Sequence, residues 1–241
     1  MLSKSQIKLI TRLKQKKYRI QDGFFVAEGV KVINELLNSS LKLHHLFTTS
    51  SFNINANLET VISETELKKI SFLSTPNKAL ALFEIPKEKP VNKEGLIVVL
   101  DDVRDPGNLG TIIRLCDWFG IKDLVCSMET VDCYNPKVIM ATMGSITRVN
   151  LNYVNLERFL DDTKLEVFGA FMDSKNVYES VLPQKGVLVL GNEANGISEA
   201  IEKLVTQKIS IPRFGDLKAT ESLNVATATA ILLSEFKRVI T

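Results

Sequence analysis

A chain of 241 residues, 45% hydrophobic and 24% charged, suits one large domain or two small ones, with a core that needs no disulfide or metal staple. No stretch approaches the roughly 20 apolar residues of a membrane span, and the N-terminus lacks a signal-peptide core, so a cytoplasmic location without membrane attachment is expected. The net charge of +2 is uneven: residues 1–21 carry seven Lys or Arg and no acid, leaving 23 basic and 28 acidic residues for the rest. Such an arm fits a local polyanion contact or a solvated helix face.

Taken in order, Ser3 is placed to cap a helix bearing Ile7, Leu9, Ile10 and Leu13. A short strand at Phe24–Ala27 and a helix from Gly29 to Asn38 follow. LHHLFTT and ALALFEI (79–85) have strand character, and ETELKKISF between them is helical. Residues 1–88 thus form a small α/β domain. The segment PKEKPVNKEG (86–95) has two prolines and five charges in ten residues and reads as a linker.

A second pattern occupies 95–241. Apolar strands at 96–102, 123–127, 165–172, 186–192 and 208–212 alternate with helices at Leu109–Phe119, Pro136–Met143, Leu156–Asp162, Ile197–Val205 and Ser222–Val239. Such alternation predicts a parallel sheet covered on both faces, with ligands beyond the carboxyl ends of its strands. Cys116, Cys126 and Cys133 form no CxxC pair, and His44 and His45 are far from them in sequence. A reduced setting is therefore expected, and no metal site.

Three strand ends carry polar residues. LIVVL leads into DDVRDPGNLGTIIR, where Asn108 stands as an N-cap and Arg114 lies among Ile112, Ile113 and Leu115; it is either solvated or held for a purpose. VLVLG leads into NEANGIS, with Glu193 and Asn195 in a turn framed by Gly191 and Gly196, and Ser198 placed to cap the next helix. Those glycines permit close backbone approach to a ligand or left-handed angles. The turn is neither GxGxxG nor GxxxxGK[ST], which argues against dinucleotide and P-loop readings. KISIP leads, nine residues on, to Ser222, Leu223 and Asn224 and a helix rich in Ala and Thr.

In this order, NxGxxxR, GNExxGxS and IP followed by SLNVATATA resemble the three motifs of the SpoU (TrmH-like) RNA ribose methyltransferases of the SPOUT class. VDCYNPKVIMATMGSITRV is similar to the family's intermediate stretch, and FVAEGVKVINELL to its N-terminal substrate-binding domain. The resemblance implies an α/β protein with a small N-terminal RNA-binding domain and a C-terminal parallel-sheet domain tied as a deep trefoil knot. It implies S-adenosylmethionine as cofactor, a homodimer, and methylation of a ribose 2'-hydroxyl of structured RNA. Ribosomal RNA is favoured over transfer RNA, and a non-catalytic RNA-binding relative is the remaining alternative. By motif position, Leu190, Gly191, Asn192, Ile211 and Leu223 would contact the donor. Arg114, Asn108, Glu193, Ser222 and Asn224 would serve catalysis. Three departures stand out: the nine-residue stretch Arg213–Glu221 where about six is usual, Ala194 for glycine, and the bulky Cys116–Asp117–Trp118. A charged guanidinium is a poor base, so Arg114 either takes the proton in a perturbed setting or grips an RNA phosphate and stabilises the forming alkoxide.

Overall fold

The computed structural model describes residues 2–215 and 222–238. In chain order the elements are α1 (Lys4–Arg12), α2 (Lys16–Asp22), β1 (Phe24–Glu28), α3 (Val30–Leu37), β2 (Leu43–Thr48), β3 (Glu59–Val61), α4 (Glu64–Ile70) and β4 (Ala79–Glu84). There follow β5 (Leu96–Leu100), α5 (Pro106–Trp118), β6 (Asp123–Cys126), α6 (Pro136–Thr142), β7 (Asn150–Tyr153), α7 (Leu156–Asp161), β8 (Val167–Asn176), β9 (Gly186–Leu190), α8 (Glu199–Glu202), β10 (Gln207–Ser210) and α9 (Val225–Lys237). They gather into two compact units. One holds residues up to 87 together with 132–147, the other 88–131 together with residues from 148 onward. No helix among the described residues is long and apolar enough to cross a membrane.

The first unit is a four-stranded sheet in the order β1-β4-β2-β3, antiparallel except for the β2–β3 pair. Ser3 and Gln6 form a reciprocal capping box at α1, and Ser63 and Glu66 do the same at α4. β3 has three residues, too few to leave a period-two pattern in the sequence. Ile10 and Leu13 pack with Val26, Phe47, Leu67 and Leu80 in the core. The N-terminal helices are therefore part of the fold and not an appended arm.

One expectation for this arm changes. Arg19 is buried: its guanidinium pairs with Asp132 and donates to the carbonyls of Leu13 and Lys14 at 2.8 and 2.9 Å. Phe25 is core, its ring 5.0 Å from Tyr134 and 5.8 Å from Phe83. Asp132 and Tyr134 belong to a stretch that sequence placed with the C-terminal half. That stretch, with α6 against β1, joins the first unit through long-range pairings that no local pattern encodes.

The second unit is a six-stranded, all-parallel sheet in the order β10-β8-β9-β5-β6-β7. Its central strands, β5 and β9, are buried at every residue, as a sheet covered on both faces requires. β7 begins Asn150–Leu151–Asn152, a mixed run that hides it from a hydrophobicity reading. The chain runs outward from β5 through β6 to β7, then returns to β8 and β9 on the other side. β5 and β9 therefore flank the point where strand order reverses, the place where open α/β sheets form a crevice.

Replacing Arg19 by alanine leaves Asp132 and two carbonyls without their donor. The expected loss is about 3 kcal/mol of stability, measured by urea unfolding; an unfolding midpoint equal to that of the parent would contradict the assigned role.

Candidate functional site

Leu100 and Leu190 are paired in register at the carboxyl ends of β5 and β9, so the loops that follow start side by side. The first loop leaves through Asp101 and Asp102. Asp102 has a φ of +59°, a left-handed conformation uncommon outside glycine and asparagine. It is held there from both sides: its N–H donates to the Ser127 hydroxyl at 3.1 Å, and its carbonyl accepts from Asn192 Nδ2 at 2.7 Å. Asp101 Oδ2 accepts the Ser198 N–H at 2.8 Å, a second tie between the loops. Sequence reasoning passed over these two acids, though an acid pair ending a buried strand was a visible signal.

α5 begins three residues earlier than the expected start at Leu109. Asp105 is its N-cap, Pro106 takes the first helical position, and Asn108 lies in the first turn. Asn108 is not the cap expected of it, and its side chain is free for a longer reach. Its Nδ2 donates to Glu193 Oε1 at 3.0 Å, and its Oδ1 accepts from Asn224 Nδ2 at 2.8 Å. Asn224 caps α9, accepting from the N–H groups of Ala226 and Thr227. Glu193 also accepts from the backbone N–H groups of Arg104 at 3.3 Å and Asp105 at 3.2 Å. One chain of hydrogen bonds, Asn224 to Asn108 to Glu193, thus joins all three segments.

Burial by itself would raise the Glu193 carboxyl. The hydrogen bonds from Asn108 and from the backbone at Glu193, Arg104 and Asp105 outweigh it and hold the group below its ordinary value. Glu193 is built to stay charged.

The second loop is closed on itself. Asn192 and Gly196 exchange backbone hydrogen bonds of 2.9 Å each way, and Asn192 Oδ1 accepts from Ala194 and Asn195. A Cβ on Gly191 would lie 2.1 Å from the Gly196 carbonyl carbon and 2.2 Å from the Ile197 nitrogen. The close approach that needs glycine here is to the loop's own backbone. Gly196 needs its glycine for a φ of +70°. Ser198 sits at the N-cap of α8 without a side-chain cap bond, and α8 is four residues long, shorter than periodicity implied.

The other candidates are placed less centrally. Leu190 is buried, and its carbonyl already accepts from Asp101. Ile211 follows β10, two strands from β9, and is partly exposed, while Leu223 is 48% exposed just before the Asn224 cap. No hydrogen bond joins Ser222, Ile211 or Leu223 to the Asn–Asn–Glu chain among the described residues. Arg114 projects from α5 into solvent and has no hydrogen-bond or ion-pair partner among the described residues. Of the extended stretch after Pro212, Arg213 pairs with Asp173 at 3.1 Å; residues 216–221, including Lys218, lie outside the described residues. The three cysteines are buried and form no disulfide, and no group of three or more metal-ligating side chains occurs among the described residues. The arrangement offers a polar clamp, apolar Ile211 and Leu223, and in Arg114 a cation unengaged among the described residues, a set suited to binding and orientation.

Residues 95–234 match the SpoU rRNA Methylase family, and residues 4–81 match the MRM3-like substrate binding domain. The chain is 29% identical to the 23S rRNA (guanosine(2553)-2'-O)-methyltransferase RlmP of Bacillus subtilis (strain 168), over 92% of each chain. A TrmH-family structure from Porphyromonas gingivalis superposes with a TM-score of 0.89 at 37% identity, covering 98% of both chains. The AdoMet-bound rRNA methyltransferase of Sinorhizobium meliloti superposes with a TM-score of 0.87 at 29% identity, covering 98% of this chain and 96% of that one.

Two outcomes check this geometry. Gly191→Ala should lower stability by about 3 kcal/mol, because backbone cannot yield as a side chain does; an unchanged melting temperature would refute the packing. Because the Glu193 carboxyl is depressed, its contribution is complete above the ordinary carboxylate range and disappears as pH falls through the lowered value. The side-chain NMR titration of Glu193 should therefore have its midpoint below that of a model glutamate, and should move upward in Asn108→Ala.

Proposed function

The chain belongs to the SpoU rRNA methylase family, and from that premise we propose that it transfers a methyl group from S-adenosylmethionine to a ribose 2'-hydroxyl of ribosomal RNA. The observation that carries this reading is the Asn224–Asn108–Glu193 chain, which unites the three family motifs in one place. Ribosomal RNA is favoured because a relative that matches over 92% of this chain is named a 23S rRNA methyltransferase. An intact polar chain also argues against a decayed, non-catalytic relative.

The donor supplies an activated methyl on a sulfonium, so an in-line displacement needs alignment and removal of one proton rather than further activation. The residues present fit such a group. Ile211 and Leu223 expose apolar surface for a flat nucleobase, while Gly191 and Asn192 bring backbone without bulk to the crevice at the end of β9. Leu190 contributes by supporting that turn from beneath, since its side chain is buried. Ser222, beside the cap of α9, is available to the ribose or the donor.

Arg114 acts on the acceptor. A guanidinium that is exposed and unpaired among the described residues is poised for an outside anion, and a phosphate accepts its planar fork in bidentate fashion. Holding the phosphate beside the reacting ribose places the hydroxyl and stabilises the alkoxide as it forms, with the phosphate or water receiving the proton. Asn108 and Asn224 keep the start of α5, and with it Arg114, in register with the other two segments. The Glu193 carboxylate, holding three hydrogen bonds within the rim, is a structural anchor and not the base.

The same reading makes the protein a cytoplasmic homodimer with a knotted second unit. Trp118, 83% exposed on α5 one turn beyond Arg114, supports a partner surface there. The packing of α9 against α5 supports a C-terminal segment that is drawn back to the first loop.

Arg114→Ala should reduce transfer to ribosomal RNA by about 10²–10³-fold, the scale of a lost transition-state donor, while calorimetry finds donor affinity unchanged. Arg114→Lys should restore little, because the bidentate fork is gone. Near-normal turnover in the alanine variant would remove Arg114 from the mechanism.

A further inference from the structure

A cavity of about 360 Å³ opens in the first unit, walled by Val26, Phe72, Leu73, Pro136, Met140 and Ala141. That is within the size range of small-ligand sites. Two charged residues interrupt its apolar lining, Glu28 and Lys137. Glu28 ends β1 and is 3% exposed, which is rare for a carboxylate. Its Oε2 accepts the Ser71 hydroxyl at 2.5 Å and its Oε1 accepts the Phe72 N–H at 2.7 Å. A carboxylate has about four acceptor positions, so these two bonds fix its orientation and leave capacity for more donors. Burial pushes the Glu28 carboxyl above its ordinary value against the opposing pull of those bonds and of Lys14, as expected of a group short of partners. The Lys14 ammonium lies 5.2 Å from the centroid of the Phe72 ring, and Lys137 is exposed on α6.

We propose that this cavity receives an unpaired guanine of the RNA substrate, its base-pairing edge against Glu28 and its neighbouring phosphates met by Lys14 and Lys137. The chemistry selects the base. Guanine presents two adjacent donors on that edge, N1–H and the N2 amino group, and a carboxylate can accept both. Adenine and cytosine place an acceptor next to their donor, and uracil flanks its single donor with two carbonyls, so each would set lone pairs against a carboxylate. Unpaired bases in RNA are read in this way, by stacking on aromatic and apolar walls and by hydrogen bonds to exposed edges. The lysines complement a polyanion rather than a neutral partner. The inference deepens the proposed function, since it rests on an RNA substrate. It also accounts for why the 132–147 stretch, which supplies Pro136, Lys137, Met140 and Ala141, belongs with the first unit.

The test uses the full-length protein and three RNA hairpins that differ at one unpaired loop position, guanine, inosine or adenine, with affinity read by fluorescence anisotropy. Guanine should bind about tenfold tighter than adenine, the weight of one hydrogen bond to a charged group, with inosine, which lacks the amino group, in between. Glu28→Gln should erase the preference, because an amide presents a donor where an acceptor is needed. Ala141→Trp, which fills the cavity from α6, should erase it too if Glu28→Gln does not fold. Equal affinity of the wild type for all three hairpins, or a preference that survives in both folded variants, overturns the proposal. Guanosine monophosphate that displaces the guanine hairpin at the hairpin's own affinity also overturns it, in favour of a free nucleotide. Methyl transfer to ribosomal RNA is assayed in parallel. Transfer without guanine preference sinks the cavity and spares the activity, whereas guanine preference without transfer does the reverse.

Discussion

Glu193 accepts three hydrogen bonds from a single stretch of chain, two from the backbone at Arg104 and Asp105 and one from the Asn108 side chain. Asn108 in turn is held by Asn224, ninety and more residues after the loop it belongs to. Each member uses both ends of its side chain, so removing any one leaves another polar group without its partner, and the loss spreads along the chain. A site assembled from three separate strand ends needs such a link, because each loop by itself leaves its helix entry free to drift. The negative charge on Glu193 strengthens the bonds it accepts, and those bonds in turn stabilise the charge.

The sheet makes this link geometrically possible. β5 and β9 are neighbours in register although some ninety residues separate them in sequence, and their first two loops start at adjacent positions. Asp101 and Asp102 then fasten the loops at their roots through Ser198 and Asn192, before the polar chain fastens them at the helix entry. The left-handed backbone at Asp102 is tolerated because bonds on both of its sides over-determine it. The result is a fastened rim beside which Arg114 is exposed and without a polar partner among the described residues.

The first unit follows a different logic. Its apolar helices, buried sheet and internal Arg19–Asp132 pair make it a folded module with a cavity in it, and not a charged arm. Of the seven basic residues near the N-terminus, Arg19 is spent on internal carbonyls and Arg12 pairs with Asp22 at 2.6 Å, so the charge offered outward is that of the lysines. Charge counts read from sequence treat all seven alike, because sequence carries no record of which guanidinium is folded inward.

Local chemistry determined much of this protein from sequence alone. The apolar runs of β5, β9 and β4, the Ser3 cap, and the motif order Asn108–Arg114, Glu193, Asn224 are all set by residue type and spacing, which propensity, burial and motif resemblance read directly. What depended on pairing between distant residues stayed hidden. The capping of α5 by Asp105 freed Asn108 to bridge two segments, Gly191 turned out to serve its own loop, and the short strands β3 and β7 exist only because neighbours pair with them. The residues 132–147 read as part of the C-terminal half but pack with the first unit, where Asp132 neutralises Arg19 and α6 walls the Glu28 cavity. Sequence specifies what each side chain can do. Only the tertiary structure decides which partner it meets, because hydrogen bonds and packing reach across space at a few ångströms and take no account of separation along the chain.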